Sequence, residues 1–415
     1  MCRHTNKTHC CSKECCNRLV NKAKRKTIAE KELLLKQNDC RPKLGPQAWE
    51  RVDAARTKEL KKHRKWIIII SRDLTMSLPK SFPLKSSNGK SIQIPSVGFG
   101  TWASGETSWA KDSVLQALQA GYRHLDCAWM YGVDEAVGQA IRESGIPREE
   151  IFVTSKFWPH FGHPDNVGLC LDKILENMGL EYLDLYLAHW PVVWKPASRQ
   201  ALEKARSGPD TTREDKGQVY EGEKPVVEWE FCTENIATKS GKQGSFVPTW
   251  KAMQECVRKG KAKAVGVSNF SVTEIKELLP HSEDVPVACN QVECHPWLPQ
   301  REMVEFAKQH GIIVTCYSPF AGQKADGSTL LKDEKVVALA ENNGMDVGQL
   351  LQSWAVQRGT VPLGKSAAPK RIESNLDVRK LSDEDTKALD GLEIANGEGR
   401  TIDFTEAWGV PLFQN

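Results

Sequence analysis

Four ionisable side chains stand at the ends of three successive strand-like runs, and their types suit proton transfer. Asp126 ends one run and Tyr131 follows five residues later, while Lys156 and His189 end the next two runs. A phenol has a pKa of about 10, and a neighbouring ammonium lowers it. We therefore expect Lys156, held and kept charged by Asp126, to lower the pKa of Tyr131. With His189 orienting a carbonyl through a neutral N–H, the set indicates acid catalysis at a carbonyl that receives a hydride.

Each of these residues alone has an ordinary structural explanation, and their order at consecutive strand ends favours the catalytic one. Strand-like runs cover 97–99, 124–127, 151–155, 183–188, 264–267, 288–293, 312–316 and 360–363. Helix-like stretches between them include 113–120, 165–178, 249–259, 301–309 and 333–342. This alternation predicts an α/β fold, a closed (β/α)8 TIM barrel with its active site at the carboxyl ends of the strands. An open doubly wound sheet is less favoured, because no Gly-x-Gly-x-x-Gly motif follows the first strand.

Two further segments accompany the predicted barrel. Residues 82–94 are typical of an N-terminal β-hairpin with a two-residue turn at Asn88-Gly89. The connection after the fourth barrel strand contains a long polar insertion, residues 195–248. Loops of this length are uncommon in compact domains, so the insertion is either a lid over the catalytic face or a solvated segment. We favour the solvated segment, with Tyr220, Trp229 and Phe231 docking part of it.

The composition divides the 415-residue chain into two regions. Residues 1–75 hold 20 Lys and Arg against 8 Asp and Glu, whereas the remainder holds 37 against 45. Gly45 is the only glycine before Gly89, which is too few turn residues for a compact α/β domain. We therefore predict a basic, cysteine-rich extension at 1–75, either disordered or a mis-called gene start, and a barrel domain at 76–415. Its basic runs 22–26 and 61–65 leave nucleic acid, anionic lipid or a targeting role open.

The cysteines and the apolar runs indicate the kind of compartment. Six of the 13 cysteines lie in the first 40 residues, without the paired spacing of a zinc site, so no metal is expected. The other seven stand singly, a pattern that fits a reducing compartment. No run approaches the about 18 apolar residues of a membrane span, and no secretory signal begins the chain. We expect a cytoplasmic monomer without nucleic-acid or membrane partners.

The region from about residue 80 to 415 carries a series of motifs, which are Gly98-Phe-Gly-Thr-Trp102, Gly121-Tyr-Arg-His-Leu-Asp-Cys-Ala128, Thr154-Ser-Lys156, His189-Trp-Pro191, Gly266-Val-Ser-Asn-Phe270, Asn290-Gln-Val-Glu-Cys-His-Pro296, Cys316-Tyr-Ser-Pro319 and Lys365-Ser366 with Arg371 and Asn375. Through these motifs the chain resembles the aldo-keto reductase superfamily, in particular its fungal-type glycerol dehydrogenases, xylose reductases and small aldehyde reductases. The resemblance implies that Asp126, Tyr131, Lys156 and His189 form a catalytic tetrad, with Tyr131 as the proton donor. The chain departs from the family at Gly364, where Pro is usual, and at Phe320, where Leu is common.

The resemblance also implies the cofactor contacts. They are expected from Thr101, Trp102, Ser268, Asn269, Gln291, Tyr317, Ser318, Phe320, Lys365, Ser366, Arg371 and Asn375. Ser268, Asn269 and Gln291 would hydrogen-bond a nicotinamide carboxamide, and Tyr317 would stack on its ring. Two cations and a hydroxyl near a helix N-terminus, at 365–371, suit a phosphate monoester and favour NADP(H) over NAD(H).

The resemblance places Trp102, Trp190 and Trp408 around an apolar substrate pocket, with the tail 404–413 over the barrel mouth. Trp129 and Trp158 are either pocket or packing residues. Such walls suit small aldehydes and ketones. The predicted activity is NADP(H)-dependent reduction of small carbonyl compounds, including sugar aldehydes and glyceraldehyde-like substrates, or the reverse oxidation of polyols. The alternative is an NADP(H)-binding barrel that serves regulation or interaction without significant turnover.

Overall fold

A computed structural model describes residues 77–413 of the chain, apart from 103–104, 106, 209–210 and 325. The extension predicted at 1–75 lies outside the described residues, and its interpretation stays a prediction. Within the described part, no helix is both long and apolar enough to cross a bilayer.

Eight parallel strands close into a barrel in chain order, which confirms the predicted TIM barrel. The strands of the described part are β1 (Ser81–Lys85), β2 (Ser91–Pro95), β3 (Gly98–Gly100), β4 (His124–Asp126), β5 (Phe152–Phe157), β6 (Leu183–Ala188), β7 (Tyr220–Glu221), β8 (Lys224–Pro225), β9 (Ala262–Ser268), β10 (Val287–Glu293), β11 (Ile313–Tyr317) and β12 (Val361–Gly364). The barrel order is β3-β4-β5-β6-β9-β10-β11-β12, and β12 pairs with β3 to close it. Each barrel strand lies within about two residues of its predicted run, as the usual uncertainty of element ends allows.

Helices surround the barrel. They are α1 (Ala110–Ala120), α2 (Asp134–Ser144), α3 (Pro164–Met178), α4 (Arg199–Lys204), α5 (Glu234–Lys239), α6 (Val247–Arg258), α7 (Val272–Leu278), α8 (Arg301–His310), α9 (Glu334–Asn342), α10 (Val347–Gln357), α11 (Pro369–Leu376), α12 (Asp383–Asp390) and α13 (Thr405–Trp408). α3 shows why they form: Val167, Leu171, Ile174 and Met178 recur at helical spacing and are fully buried. The helix ends at Gly179, whose φ of 66° suits a glycine C-cap.

An antiparallel hairpin of β1 and β2 closes the amino-terminal end of the barrel. Leu84 and Ile94 are fully buried against barrel residues such as Leu185 and Ala288. The predicted two-residue turn is wrong, because Lys85 pairs with Ser91 and five residues connect the strands. Hydrogen bonds to the barrel hold this wider loop open, from Asn88 N to the carbonyl of residue 284 (2.9 Å) and from Ser86 Oγ to that of residue 263 (2.6 Å).

The insertion 195–248 contains α4, α5 and the small β7–β8 hairpin. Leu202, Cys232 and Ile236 are fully buried, so more of the insertion is packed than in the solvated, partly docked segment that we favoured. The predicted docking is confirmed, because the Tyr220 ring lies 6.2 Å from that of Trp194, the Phe231 ring lies 4.6 Å from that of His163, and Trp229 packs on the core. These buried residues are too widely spaced among charged ones to produce a recognisable periodicity.

The C-terminal tail covers the carboxyl end of the barrel, as predicted. It carries α13, whose Trp408 is only 8% exposed. Trp408 packs on Trp158, which follows β5, and on Trp190, which follows β6, with ring centroids 5.7 and 5.0 Å away. The strand ends that carry the candidate residues therefore lie beneath this tail.

Candidate active site

The four candidate catalytic residues meet at the carboxyl ends of adjacent strands. Asp126 is the last residue of β4, Lys156 lies near the end of β5, and His189 directly follows β6. Tyr131 is in the short 3-10 turn Trp129–Tyr131 after β4. Because β4, β5 and β6 are paired in parallel, their carboxyl ends open on one face of the barrel.

Lys156 and Asp126 form a buried ion pair. Lys156 has no exposed surface, and its Nζ lies 2.7 Å from Asp126 Oδ1. Lys156 Nζ also donates to the carbonyl of Cys127 at 2.8 Å, and Gln291 Nε2 donates to the other oxygen of Asp126 at 2.7 Å. A buried charge is tolerated only when it is paired and hydrogen-bonded. The pair therefore holds a fixed ammonium at the site.

Tyr131 lies over this ammonium. Lys156 Nζ is 5.1 Å from the centroid of the Tyr131 ring. The expected lowering of the Tyr131 pKa is nevertheless wrong. Tyr131 is half-buried, and burial raises its pKa well above the ordinary value, while the charge of Asp126 raises it further. The phenol thus keeps its proton at neutral pH, which is the form that a proton donor requires.

His189 is the neutral member of the set. Burial lowers the pKa of His189 well below its ordinary value, and the ammonium of Lys156 lowers it further. The ring lies 5.8 Å from that of Tyr131 and 4.9 Å from that of Trp158, both edge to face. Among the described residues, His189 Nδ1 has no hydrogen-bond partner. A neutral imidazole beside the phenol can orient a carbonyl oxygen without competing for the proton.

Amide and hydroxyl groups from the next strands adjoin this set. Asn269 Nδ2 donates to the His189 carbonyl at 3.0 Å, and Tyr317 Oη donates to Asn269 Oδ1 at 2.8 Å. Ser268 Oγ donates to the Gln291 carbonyl at 2.9 Å. Asn269 has a φ of 64°, a left-handed conformation that Asn tolerates better than most residues. Amide groups next to a tyrosine ring fit a flat, carboxamide-bearing ligand such as nicotinamide.

The other cofactor residues predicted at the carboxyl end of the barrel are two pairs, one after β3 and one after β11. Thr101 is buried and its Oγ1 donates to the Asp126 carbonyl at 2.9 Å, whereas Trp102 is 55% exposed. Ser318, with a φ of 48°, and Phe320 lie in the loop after β11. Phe320 fills the space beside Gly364, where an added Cβ would come within 2.9 Å of Phe320 Cζ. The two departures from the family pattern, Phe320 and Gly364, are therefore in contact. The large ring of Phe320 is accommodated because residue 364 has no side chain.

The basic cluster lies where β12 leads into α11. Arg371 Nε donates to Ser366 Oγ at 3.4 Å, while Lys365 Nζ stands 4.3 Å from the ring centroid of Trp109. Within the described part of the chain, neither cation has a salt-bridge partner. Ala368, the N-cap of α11, provides no side-chain cap for the first N–H groups. Two unpaired cations and an uncapped helix start fit a phosphate group.

Asn375, expected near an adenine, lies on α11 and is buried. A Cβ added at Gly348 would come within 2.5 Å of its Oδ1. The amide thus lies against the start of α10.

The structure brings two of the three predicted substrate tryptophans together. Trp190 and Trp408 pack against each other, while Trp102 is exposed. Trp158 joins the cluster through Trp408. Trp129 does not, since its ring packs on those of His160 and Phe161 and serves packing.

Sequence reasoning did not assign three further aromatic residues to this cluster, two next to Trp408 and one next to Trp190. The Trp194 ring lies 4.7 Å from that of Trp408, and Phe404 stacks on Trp408 at 4.8 Å. Phe413 contacts Trp190 at 5.9 Å. The helical i, i+4 spacing of Phe404 and Trp408 was the available signal, whereas Trp194 stands in an ordinary apolar run.

Comparisons with known proteins agree with this geometry. The model of the Aldo/keto reductase family matches residues 96–394. The chain is 42% identical over 337 residues to aldehyde reductase YPR1 of Saccharomyces cerevisiae, covering 80% of this chain and 97% of that protein. It is 36% identical over 334 residues to the glycerol 2-dehydrogenase (NADP(+)) of Hypocrea jecorina, covering 77% and 95%. The solved aldose reductase of Giardia lamblia superposes with a TM-score of 0.64 at 30% identity, covering 77% of this chain and 98% of that one. The chain belongs to the aldo/keto reductase family.

Proposed function

We propose that this chain is an NADP(H)-dependent reductase of small aldehydes and ketones that also oxidises polyols in the reverse direction. The observation that carries the proposal is the buried Lys156–Asp126 pair beneath the ring of Tyr131, beside a neutral His189. An ammonium under a phenol is the arrangement that stabilises a phenolate while its proton leaves.

Each member of the set has its own task. Tyr131 gives its proton to the carbonyl oxygen, and His189 orients that oxygen through an N–H. Lys156 stabilises the phenolate that remains, and Asp126 keeps Lys156 charged and fixed. A reduced nicotinamide, when bound, would supply the hydride for the carbonyl carbon, so that the carbonyl would gain one hydride and one proton in all. Acid catalysis of this kind contributes about 10²–10⁴-fold to a rate.

The cofactor proposal rests on two groups of side chains. Ser268, Asn269 and Tyr317 provide the hydroxyl, amide and ring that suit a nicotinamide. Lys365 and Arg371 leave their charges unpaired within the described residues, and their positions suit the extra phosphate of NADP(H). One relative from Saccharomyces cerevisiae and one from Hypocrea jecorina carry NADP(+) in their names, which agrees with a preference for NADP(H).

The substrate proposal rests on the aromatic wall of Trp158, Trp190 and Trp408. A wall of this kind favours small carbonyl compounds of varied shape over one particular sugar. The relatives' names include aldehyde reductase, glycerol 2-dehydrogenase and D-galacturonate reductase, which share carbonyl–alcohol chemistry rather than a single substrate.

We also propose that the protein acts as a cytoplasmic monomer. All seven cysteines of the described part are free and buried, which fits a reducing compartment. Size-exclusion chromatography with light scattering tests the monomer, and a dimer mass would contradict it.

The activity is tested with the full chain by following oxidation of NADPH and NADH against glyceraldehyde, xylose and an aromatic aldehyde. We expect turnover with NADPH in preference to NADH.

Tyr131→Phe should lose at least about 10²-fold in kcat while binding NADP⁺ with unchanged affinity, because it removes only the transferred proton. Wild-type turnover in this variant would overturn the role of Tyr131. Tight NADPH binding without turnover of any substrate would overturn the enzyme proposal in favour of a regulatory barrel.

A further inference from the structure

Thr401, in the C-terminal tail, touches two other parts of the active face. Its backbone N–H donates to both carboxylate oxygens of Glu293, at 2.8 and 3.1 Å, and its hydroxyl donates to the same carboxylate. The same hydroxyl accepts a hydrogen bond from Gly322 N at 3.3 Å. One side chain therefore joins the end of β10, the loop after β11 and the tail.

Glu293 is a rigid anchor for this junction. It ends β10, has no exposed surface and also accepts from Ile402 N at 3.1 Å and from His295 Nε2 at 3.0 Å. Burial raises the pKa of Glu293, but hydrogen bonds from His295 and Thr401 together outweigh burial, so the net shift of the pKa is downward. A carboxylate held by this many donors has no freedom to follow a moving tail.

The loop after β11 is in close contact with the Thr401 side chain. A Cβ added at Gly322 would lie 3.0 Å from both Thr401 Cβ and Thr401 Oγ1. Within this loop, Ser318 and Ala321 have φ values of 48° and 55°, which are strained for residues with side chains. The loop includes Ser318 and Phe320, two of the proposed cofactor contacts, so its shape matters for binding.

The tail beyond Thr401 forms the proposed substrate wall. Phe404, three residues later, packs on Trp190 at 5.4 Å and stacks on Trp408 at 4.8 Å. The bonds of Thr401 and Ile402 to Glu293 are thus the last buried anchors before this wall.

We infer that Thr401 is a positioning residue that couples the cofactor-side loop 318–322 to the substrate wall at Phe404. The inference rests on the proposed function. A cofactor that orders the loop stabilises the Gly322–Thr401 contact, and through it the position of the tail. By linkage, the cofactor then increases affinity for the carbonyl substrate, and the substrate increases affinity for the cofactor by the same factor.

The test compares three variants of the full chain. Thr401→Val removes the hydroxyl but keeps the shape and the backbone bonds to Glu293, whereas Thr401→Ser keeps the hydroxyl. Thr360→Val is the matched control, because Thr360 Oγ1 donates a buried hydrogen bond to the Ala355 carbonyl at 2.7 Å, at the amino end of β12 away from the active face.

Hydrogen–deuterium exchange with and without NADP⁺ measures the coupling directly. In the wild type, NADP⁺ should slow exchange at 318–322, at 365–371 and also at 400–405. In Thr401→Val the protection at 400–405 should disappear while that at 365–371 stays. The KM for the carbonyl should rise about fivefold with kcat within about twofold, because Thr401→Val loses the hydroxyl's hydrogen bonds to Glu293 and from Gly322 N. Thr401→Ser and Thr360→Val should behave as the wild type.

Unchanged protection at 400–405 and an unchanged KM in Thr401→Val would overturn the inference. A lower melting temperature with the same KM would also overturn it, because the role would then be structural only. Failure of NADP⁺ to protect 365–371 in the wild type would instead overturn the proposed cofactor site, and the coupling with it.

Discussion

At the scale of single residues, the site moves apart the titrations of two groups whose ordinary pKa values are 6.5 and 10.0. The protein raises the pKa of Tyr131 and lowers that of His189, in both cases chiefly by burial. The phenol stays protonated and the imidazole stays neutral across the physiological range. Reduction therefore needs no change of protonation before the substrate arrives.

This separation predicts a flat pH profile for reduction. His189 gains a proton only well below its ordinary pKa of 6.5, and Tyr131 loses one only well above 10. Between about pH 6 and 8, kcat/KM for a carbonyl substrate should therefore change less than about twofold. Steady-state rates at saturating NADPH measure it. An inflection near pH 6.5 that disappears in His189→Gln would show that the imidazole titrates in the working enzyme.

A pair of variants distinguishes the proposed catalytic role of Lys156 from its structural role in the ion pair with Asp126. Lys156→Met leaves Asp126 charged and buried beside Gln291 alone, which should lower the free energy of unfolding by about 3 kcal/mol. It should also lower kcat by at least about 10²-fold, because the phenolate loses its stabilising charge. Adding Asp126→Asn removes the unpaired charge, so the double variant should regain most of the stability and none of the activity. Urea denaturation and NADPH oxidation measure the two effects. Recovery of activity in the double variant would show that the ammonium is dispensable.

At the scale of elements, a change at Gly364 tests how β12 meets the loop after β11. Gly364→Ala places a Cβ 2.9 Å from Phe320 Cζ and 2.6 Å from Gln352 Oε1, and should cost about 1–3 kcal/mol of stability. Adding Phe320→Leu should recover at least about 0.5 kcal/mol of that loss, because the two sites share the same space. Gly168→Ala is the control, since α3 has open space there and alanine favours a helix. Strict additivity of the two changes, measured by urea denaturation, would show that Phe320 does not press on residue 364.

Most elements of the fold were predictable, since apolar runs and helical spacing reflect local burial. β5 and β6 are buried along their whole length, and the buried residues of α3 recur at helical spacing. The hairpin turn at Asn88-Gly89 was not predictable, because its width depends on hydrogen bonds to residues 263 and 284, far along the chain. The helices and strands within 195–248 were not predictable for a related reason, because the buried residues of this insertion contact partners in other elements.

The residues that form the candidate site were predictable from the sequence, but the direction of the Tyr131 pKa was not. The strand-end positions of Asp126, Lys156 and His189 follow from the barrel, so their convergence could be inferred from spacing. The direction of the Tyr131 pKa could not, because it depends on how far burial outweighs one nearby ammonium. Glu293 and Thr401 were missed as partners because 108 residues separate them.

At the scale of the whole molecule, closing the barrel buries two histidine side chains, which the folded protein holds in the neutral form. His124 is fully buried at the start of β4, and its pKa is lowered to about 3 by burial and by the charge of Lys156. His160, after β5, is also fully buried, and burial lowers its pKa to about 3. Both side chains take up protons near pH 6.5 once the chain unfolds, so acid favours the unfolded state.

His160→Asn isolates the contribution of one such group to acid stability. The contribution of His160 is complete above pH 6.5, the ordinary value, and is lost as the pH falls towards its folded pKa of about 3. Between these two pKa values the free energy of unfolding falls by about 1.4 kcal/mol per pH unit on account of His160, because the unfolded state binds one more proton than the folded state. The variant cannot bind that proton, so its unfolding free energy should decline less steeply between about pH 6 and 4.5, by this amount per unit. Urea denaturation of both proteins across the window measures the difference in slope. Parallel curves would mean that the buried imidazole is already protonated in the folded barrel, or that it is exposed to water.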